Sequence, residues 1–221
     1  MENRNENNQK ELKLGILNVN NKNNLEEIKR LLIIVDMVNG FVKEGAMADP
    51  YITHIIDEQL RLINIFKEKD DKLAFIRDCH KEGCTEFKKF PMHCLEGTSE
   101  SELVDELKPY ENNALVYKKN STSTMFAPNF VNDIESLKNL KEVVITGCCT
   151  DICVMNLAIP LVNYFDELNR DVEIVIPTNA VETYDSLVHK RNEYNEMAFK
   201  FMNQAGIKLV KKYERGNGYG K

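Results

Sequence analysis

Two stretches of this chain concentrate side chains that could do chemistry. In Thr146-Gly147-Cys148-Cys149-Thr150-Asp151-Ile152-Cys153, three thiols follow an apolar run and a helical pattern begins among them. With Thr150 as N-cap and Asp151 in the first turn, Cys153 would stand at the positive end of a helix, where thiolate is favoured over thiol. Unused N–H groups of that turn would point the same way and could hold an oxyanion beside the sulfur. That is equipment for nucleophilic attack on a carbonyl. The second stretch runs from Asp78-Cys79-His80 to His93-Cys94. Asp78 and His80, two apart at a strand end, face the same way. An Asp and two His make a three-donor set for zinc, iron or manganese, with positions left for water or substrate. Glu86, between the histidines, is a candidate fourth ligand. Plainer alternatives exist for both stretches: the thiols as small buried hydrophobes, the histidines as solvated loop residues. A rival metal set of Cys79, Cys84 and Cys94 with a His lacks the paired C-x-x-C spacing of structural zinc.

A thiol nucleophile needs a base and a charged partner, and both occur where other apolar runs end. Asp36 closes Leu31–Asp36, and Lys118-Lys119 close Ala114–Lys119. With Lys72–Asp78, Glu142–Gly147, Val172–Pro177 and Ile207–Lys211, these make six short, nearly continuous β-branched runs, the pattern of strands buried on both faces. Helical periodicity separates most of them: Tyr51–Lys69, Ser101–Leu107, Asn129–Leu140, Asp151–Leu168 and Asp185–Ala205. The expected fold is α/β: an open, mostly parallel six-stranded sheet with helices on both faces, a Rossmann-like three-layer arrangement. Ligands in such sheets bind beyond the C-terminal strand ends, which is where Asp36, Asp78, Lys119 and the cysteine-rich turn fall. His54 and His189 are expected at the surface or at caps.

Composition limits what this equipment can serve. The 221 residues carry 29 Lys+Arg against 35 Asp+Glu, a net charge of −6, which weighs against nucleic acid or anionic membrane as partner. No apolar run approaches the roughly 20 residues of a membrane span. The polar N-terminus has no signal-peptide pattern, so reduced thiols and a cytoplasmic location are expected. Residues 1–24, rich in Asn, are expected to form a flexible extension, with a weak strand pattern at Leu12–Val19. One domain is expected over 25–214, followed by a flexible tail over 215–221.

The segments VDMVNGF, KKNSTSTMF and ITGCCTDICV together resemble the isochorismatase-like cysteine hydrolases, the family that includes nicotinamidase. The resemblance covers about residues 30–211, and T-D-x-C-V is its most specific part. It implies Cys153 as nucleophile, Asp36 as acid/base and Lys119 as the third triad member. Lys119 is preferred to Lys118 because the family counts four residues from this Lys to a Ser, here Ser123. It implies a cis peptide at Cys148–Cys149, with the Cys149 and Cys153 N–H groups as oxyanion donors. It decides the metal ligands as Asp78, His80 and His93, with Glu86 seven residues before the last His as in a streptococcal-type subgroup. The implied cofactor is a divalent metal, zinc first, anchoring the pyridine nitrogen of nicotinamide, in a pocket that includes Phe41, Phe90 and Cys148. The implied assembly is a homo-oligomer acting on a small amide. The chain departs from the family where it lacks the Gln and second Asp after Asp36. It also lacks the Trp beside the metal histidine, with Cys79 and Phe90 in those places. A related amidase or ureidohydrolase acting on a carbamoyl compound, and a catalytically silent scaffold, are the competing expectations.

Overall fold

The computed structural model describes residues 25–68 and 70–215. The expected extension over 1–24, with its strand pattern at Leu12–Val19, lies outside the described residues, as do 216–221 of the expected tail. The six expected strands all form: β1 (Arg30–Val35), β2 (Asp71–Asp78), β3 (Leu115–Lys119), β4 (Glu142–Cys148), β5 (Glu173–Pro177) and, last in the chain, β7 (Lys208–Val210). A further strand, β6 (Val181–Glu182), is two residues long and pairs with β4; a segment that short has no periodicity to read. The main sheet runs β3-β2-β1-β4-β5-β7 with parallel pairing throughout.

Residues alternate along β1 between two apolar layers. Leu31, Ile33 and Val35 join one core cluster, with Phe130, Leu157, Leu161 and Met202. Leu32 and Ile34 join the other, with Leu62, Ile63 and Phe75. Helix α1 (Ile56–Ile65) contributes to the second layer, and α2 (Phe130–Ser136), α3 (Met155–Glu167) and α4 (Arg191–Gln204) to the first. No helix of the described residues is long and apolar enough to cross a membrane.

Three expected helices need correction. Ser101–Leu107 is not helical, because its backbone pairs with the segment after β1: Asn39 N–H donates to Glu102 O, Val104 N–H donates to Met37 O, and Leu103 bridges Val38. The segment at Asp185 becomes helical only at Arg191. Tyr51–Lys69 starts as a 3-10 segment, Pro50–Ile55, capped by the Asp49 carboxylate, before α1 proper.

Strand register sets the level of the site. Val35 lies beside Ile76 and Gly147, and Asp78 beside Lys119. From β1 the chain winds out through β2 and β3, then returns to lay β4 on the other side of β1. This is the topological switch point, where adjacent loops part and a crevice opens.

Candidate active site and metal cluster

At the end of β1, Asp36 adopts a left-handed backbone (φ 51°), a region that Asp tolerates better than most residues. Its N–H still donates to Ile76 O at 3.0 Å, so the residue is held by the sheet. Along β3, alternation sends Tyr117 and Lys119 inward and Lys118 outward. Lys118 is exposed and pairs with Glu96 at 3.3 Å. Lys119 is 1% exposed, and its Nζ lies 2.9 Å from Asp36 Oδ2, 2.9 Å from Asp78 Oδ1 and 3.7 Å from Cys153 Sγ.

The cysteine-rich turn leaves β4 through Gly147, whose φ is +114°. A Cβ there would fall 2.0 Å from Val35 O, so β4 can approach β1 this closely only with glycine at that position. The Cys148–Cys149 peptide is cis, as the resemblance implies. Thr150–Val154 form a π-type turn rather than the start of a regular helix, and Thr150 is not its N-cap. Cys149 holds that position, without a side-chain cap bond, because its carbonyl accepts from both Ile152 and Val154 N–H at 3.1 Å. Cys153 is buried in this turn.

Charges around the sulfur set its protonation. Burial pulls the Lys119 ammonium down, but Asp36 and Asp78 outweigh it and hold the group protonated. Asp36 is pushed up to about 6, by burial first and then by Asp78, against the downward pull of Lys119 and of a hydrogen bond from Cys153. Burial likewise pushes the Cys153 thiol up; Lys119 pulls it down, and Asp36 and Asp78 raise it again. The thiolate expected from a helix N-terminus is therefore not favoured at rest: burial pushes the thiol up further than the adjacent ammonium brings it down. The structure instead pairs a buried thiol with a carboxylate poised to accept its proton.

The metal candidates converge only in part. His80 Nε2 lies 3.1 Å from Asp78 Oδ2 and 3.1 Å from His93 Nε2, and His93 Nε2 lies 3.3 Å from Asp78 Oδ2. His93 Nδ1 donates to Pro91 O at 2.7 Å, which leaves its Nε2 lone pair facing the cluster. Two nitrogens and a carboxylate oxygen, buried and this close, fit a divalent metal. Glu86 is not in this group. Its carboxylate accepts from Thr122 Oγ1 at 2.8 Å and falls in a second cluster with His80 and Cys84, while it lines the same cleft as Asp78 and His93. Asp78 shares one oxygen with the histidines and the other with Lys119, so the metal cluster and the thiol site meet at one carboxylate. Burial would raise the Asp78 carboxyl, but Lys119, His80 and His93 hold it well below the usual carboxylate range.

A cleft opens onto both groups, lined by Asp78, His93, Cys149 and Cys153. Phe41 and Phe90 line it too, Phe41 with its ring 5.5 Å from that of His93. Cys148 does not line the cleft: it is wholly buried, and its thiol donates to Asp36 O at 3.2 Å. Sequence reasoning missed Met47, Ile152, Thr122 and Tyr184 as lining residues. Tyr184 follows the two-residue β6, so no periodic signal announced it. His189 corrects the surface expectation: it is 5% exposed, bonded to Asp151 at 2.9 Å and stacked between Tyr184 and Tyr194.

Comparison with known proteins agrees with this arrangement. The isochorismatase domain model matches residues 30–212. Nicotinamidase 1 of Arabidopsis thaliana is 30% identical over 175 residues, spanning 72% of this chain and 71% of that protein. The crystal structure of nicotinamidase PncA from Bacillus subtilis superposes with a TM-score of 0.67 at 28% identity, over 83% of this chain and 99% of that one. The pyrazinamidase of Pyrococcus horikoshii in complex with zinc gives 0.65 at 26% identity, over 82% and 98%. Fold, sequence and strand-end chemistry agree, and the chain belongs to the isochorismatase family as one of its amidohydrolases.

Proposed function

We propose that this enzyme hydrolyses small aromatic amides, nicotinamide foremost, to the acid and ammonia through a thioester on Cys153. The observation that carries this reading is Lys119 Nζ, placed within 2.9 Å of both Asp36 and Asp78 and 3.7 Å from Cys153 Sγ. Its support from similarity is the nicotinamidases and pyrazinamidase above.

Asp36 takes the thiol proton as Cys153 Sγ attacks the amide carbon. The carbonyl oxygen becomes an oxyanion, held by the Cys149 and Cys153 N–H groups; each such donor contributes roughly 3 kcal/mol. Lys119 keeps the adjoining negative charges compensated. Asp36 then passes its proton to the amide nitrogen, the C–N bond breaks and ammonia leaves, with the acyl group on sulfur. Asp36 next deprotonates water, which attacks the thioester; the C–S bond breaks and the thiol recovers its proton. Asp78, His80 and His93 would hold a divalent metal, zinc first, which supplies a Lewis-acid anchor for a ring nitrogen. Glu86, which lines the same cleft, would be the fourth ligand through the carboxylate oxygen that Thr122 does not use. Phe41 and Phe90 would flank the ring. The reading includes a single hydrolase domain over 25–214. It also includes a homo-oligomeric assembly and a cytoplasmic role in pyridine nucleotide salvage.

An ammonia-release assay on nicotinamide, pyrazinamide and N-carbamoyl compounds tests the substrate class, with metal content measured on the same sample. Turnover of the carbamoyl compounds with both ring amides untouched would remove the pyridine assignment. Activity should also fall on the acid side: with Asp36 at about 6, protonation below that pH removes the acceptor for the thiol proton. A profile of kcat/KM should bend near pH 6, as a property of the coupled Asp36–Lys119–Cys153 unit; an acid limb near pH 4 would disprove Asp36 as the base. Removing the metal by chelation should raise KM for pyridine-type amides on the order of 10- to 100-fold through lost orientation, and zinc, iron or manganese should restore it. Unchanged kinetics in demonstrably metal-free protein would make the cluster structural.

A further inference from the structure

His189 sits in surroundings that the reaction scheme above does not use. Its chain neighbours Leu187 and Val188 are 93% and 87% exposed, yet His189 itself is 5% exposed. Hydrophobicity does not explain that contrast, but hydrogen bonding does. Nδ1 lies 3.0 Å from Tyr184 O and Nε2 lies 2.9 Å from Asp151 Oδ2. A backbone carbonyl and a carboxylate both accept, so each ring nitrogen faces a fixed acceptor and the ring is held in one orientation. Both faces of the ring are covered as well, by Tyr184 at 3.9 Å between centroids and Tyr194 at 3.7 Å. Such a sandwich fixes the plane of the ring.

The two groups that His189 holds sit on segments that build the cleft. Asp151 stands in the same π-type turn as Cys153, and its other oxygen accepts from Thr183 Oγ1 at 2.6 Å. Thr183 and Tyr184 directly follow β6, which pairs with β4 at Gly147 and Cys148. Tyr184 lines the cleft with Cys149 and Cys153. The turn that carries the sulfur, the strand beside it and the tyrosine wall therefore meet at one imidazole.

We propose that His189 is a positioning residue: through Asp151 and Tyr184 it fixes the Cys149–Cys153 turn and the outer wall of the cleft in their reactive arrangement. It touches no reacting atom. This deepens the functional reading, and its test is separable from it.

Four variants test it: His189→Leu, His189→Gln, Asp151→Ala and the Asp151→Ala/His189→Leu double variant. The folded fraction of each is established by circular dichroism and thermal unfolding, and kcat and KM are normalised to it. His189→Leu should lower kcat about 10- to 100-fold, the scale of a misplacement of about 1 Å. His189→Gln, which keeps a donor for Asp151, should recover part of that loss. The double variant should be no worse than the worse single one, as expected of residues acting as a unit. Wild-type kcat and KM in folded His189→Leu, or losses that multiply in the double variant, would overturn the proposal. The alkylation rate of Cys153 by iodoacetamide is read in parallel. Should the wild type release ammonia from none of the amides, the functional reading fails, and His189→Leu must still change this rate several-fold. An unchanged rate overturns the positioning role, and so does a His189→Leu variant that only unfolds while His189→Gln and Asp151→Ala behave as wild type.

Discussion

Cys153→Ala is expected to lower turnover on the order of 10⁴-fold or more, with the fold intact. The substitution removes the sulfur that stands beside Lys119 in the cleft and forms the acyl bond in this scheme, and residues acting with a nucleophile retain little chemistry without it. The structural cost is small. The sulfur is buried, 3.7 Å from Lys119, and alanine removes no hydrogen-bonding backbone group. Ammonia release measures the loss. Mass spectrometry of protein treated with an aldehyde analogue of the amide should locate the wild-type adduct on Cys153 and find none in the variant. An adduct on Cys148 or Cys149 would move the nucleophile. Cys148 is the poorer candidate in any case, since its thiol is turned toward Asp36 O and away from the cleft.

Lys119→Met should be the most damaging single change to both stability and activity. Methionine follows the lysine stem as far as Cε, so packing changes little, and what is lost is the ammonium between Asp36 and Asp78. Removing one partner from a buried ion pair costs about 3 to 5 kcal/mol, because the charge left behind is uncompensated. The pH dependence carries the sign. Asp36 is already raised to about 6 in the folded state from an ordinary value of 3.8. The stability linked to its proton is thus fully present below pH 3.8 and is lost as the pH rises through about 6. Loss of the ammonium pushes the carboxyl higher still, so the variant should suffer most at pH 7 and recover toward pH 5 as Asp36 takes a proton. Urea unfolding at both pH values, at matched metal content, reads this directly. Equal destabilisation at the two would show that Lys119 does not compensate Asp36. Lys119→Arg is not expected to rescue, because the planar guanidinium cannot replace a point charge in a space this closed.

The sequence was informative wherever burial on both faces left a periodic trace. The six β-branched runs became the six main strands within one or two residues, because a parallel sheet between helices requires continuous apolar runs. The same reasoning put Asp36, Asp78, Lys119 and the cysteine turn at one sheet edge. It could not choose between Lys118 and Lys119 without the family register. The structure makes that choice by alternation along β3, which exposes Lys118 and buries Lys119. Ser101–Leu107 reads as a helix because its apolar spacing fits one, but its backbone donors and acceptors are taken by the segment after β1. Local pattern does not record such a long-range partner.

What the sequence determined by itself is the inventory: an acidic α/β chain whose strands end in a thiol, two carboxylates, a lysine and a pair of histidines. Local periodicity and residue chemistry suffice for that, since each strand end can be read alone. The tertiary structure alone decided the charges, the partners and the walls. Packing β1 between β2 and β4 buries Asp36, Asp78, Lys119 and Cys153 in one cluster, and only that shared burial holds the resting sulfur as a thiol and lifts Asp36 to about 6. It also turned Glu86 toward Thr122, removed Cys148 from the pocket and drew His189 in from the surface. Each of these depends on contacts between residues far apart in the chain, where desolvation and Coulomb interactions are set by neighbours that no local pattern specifies.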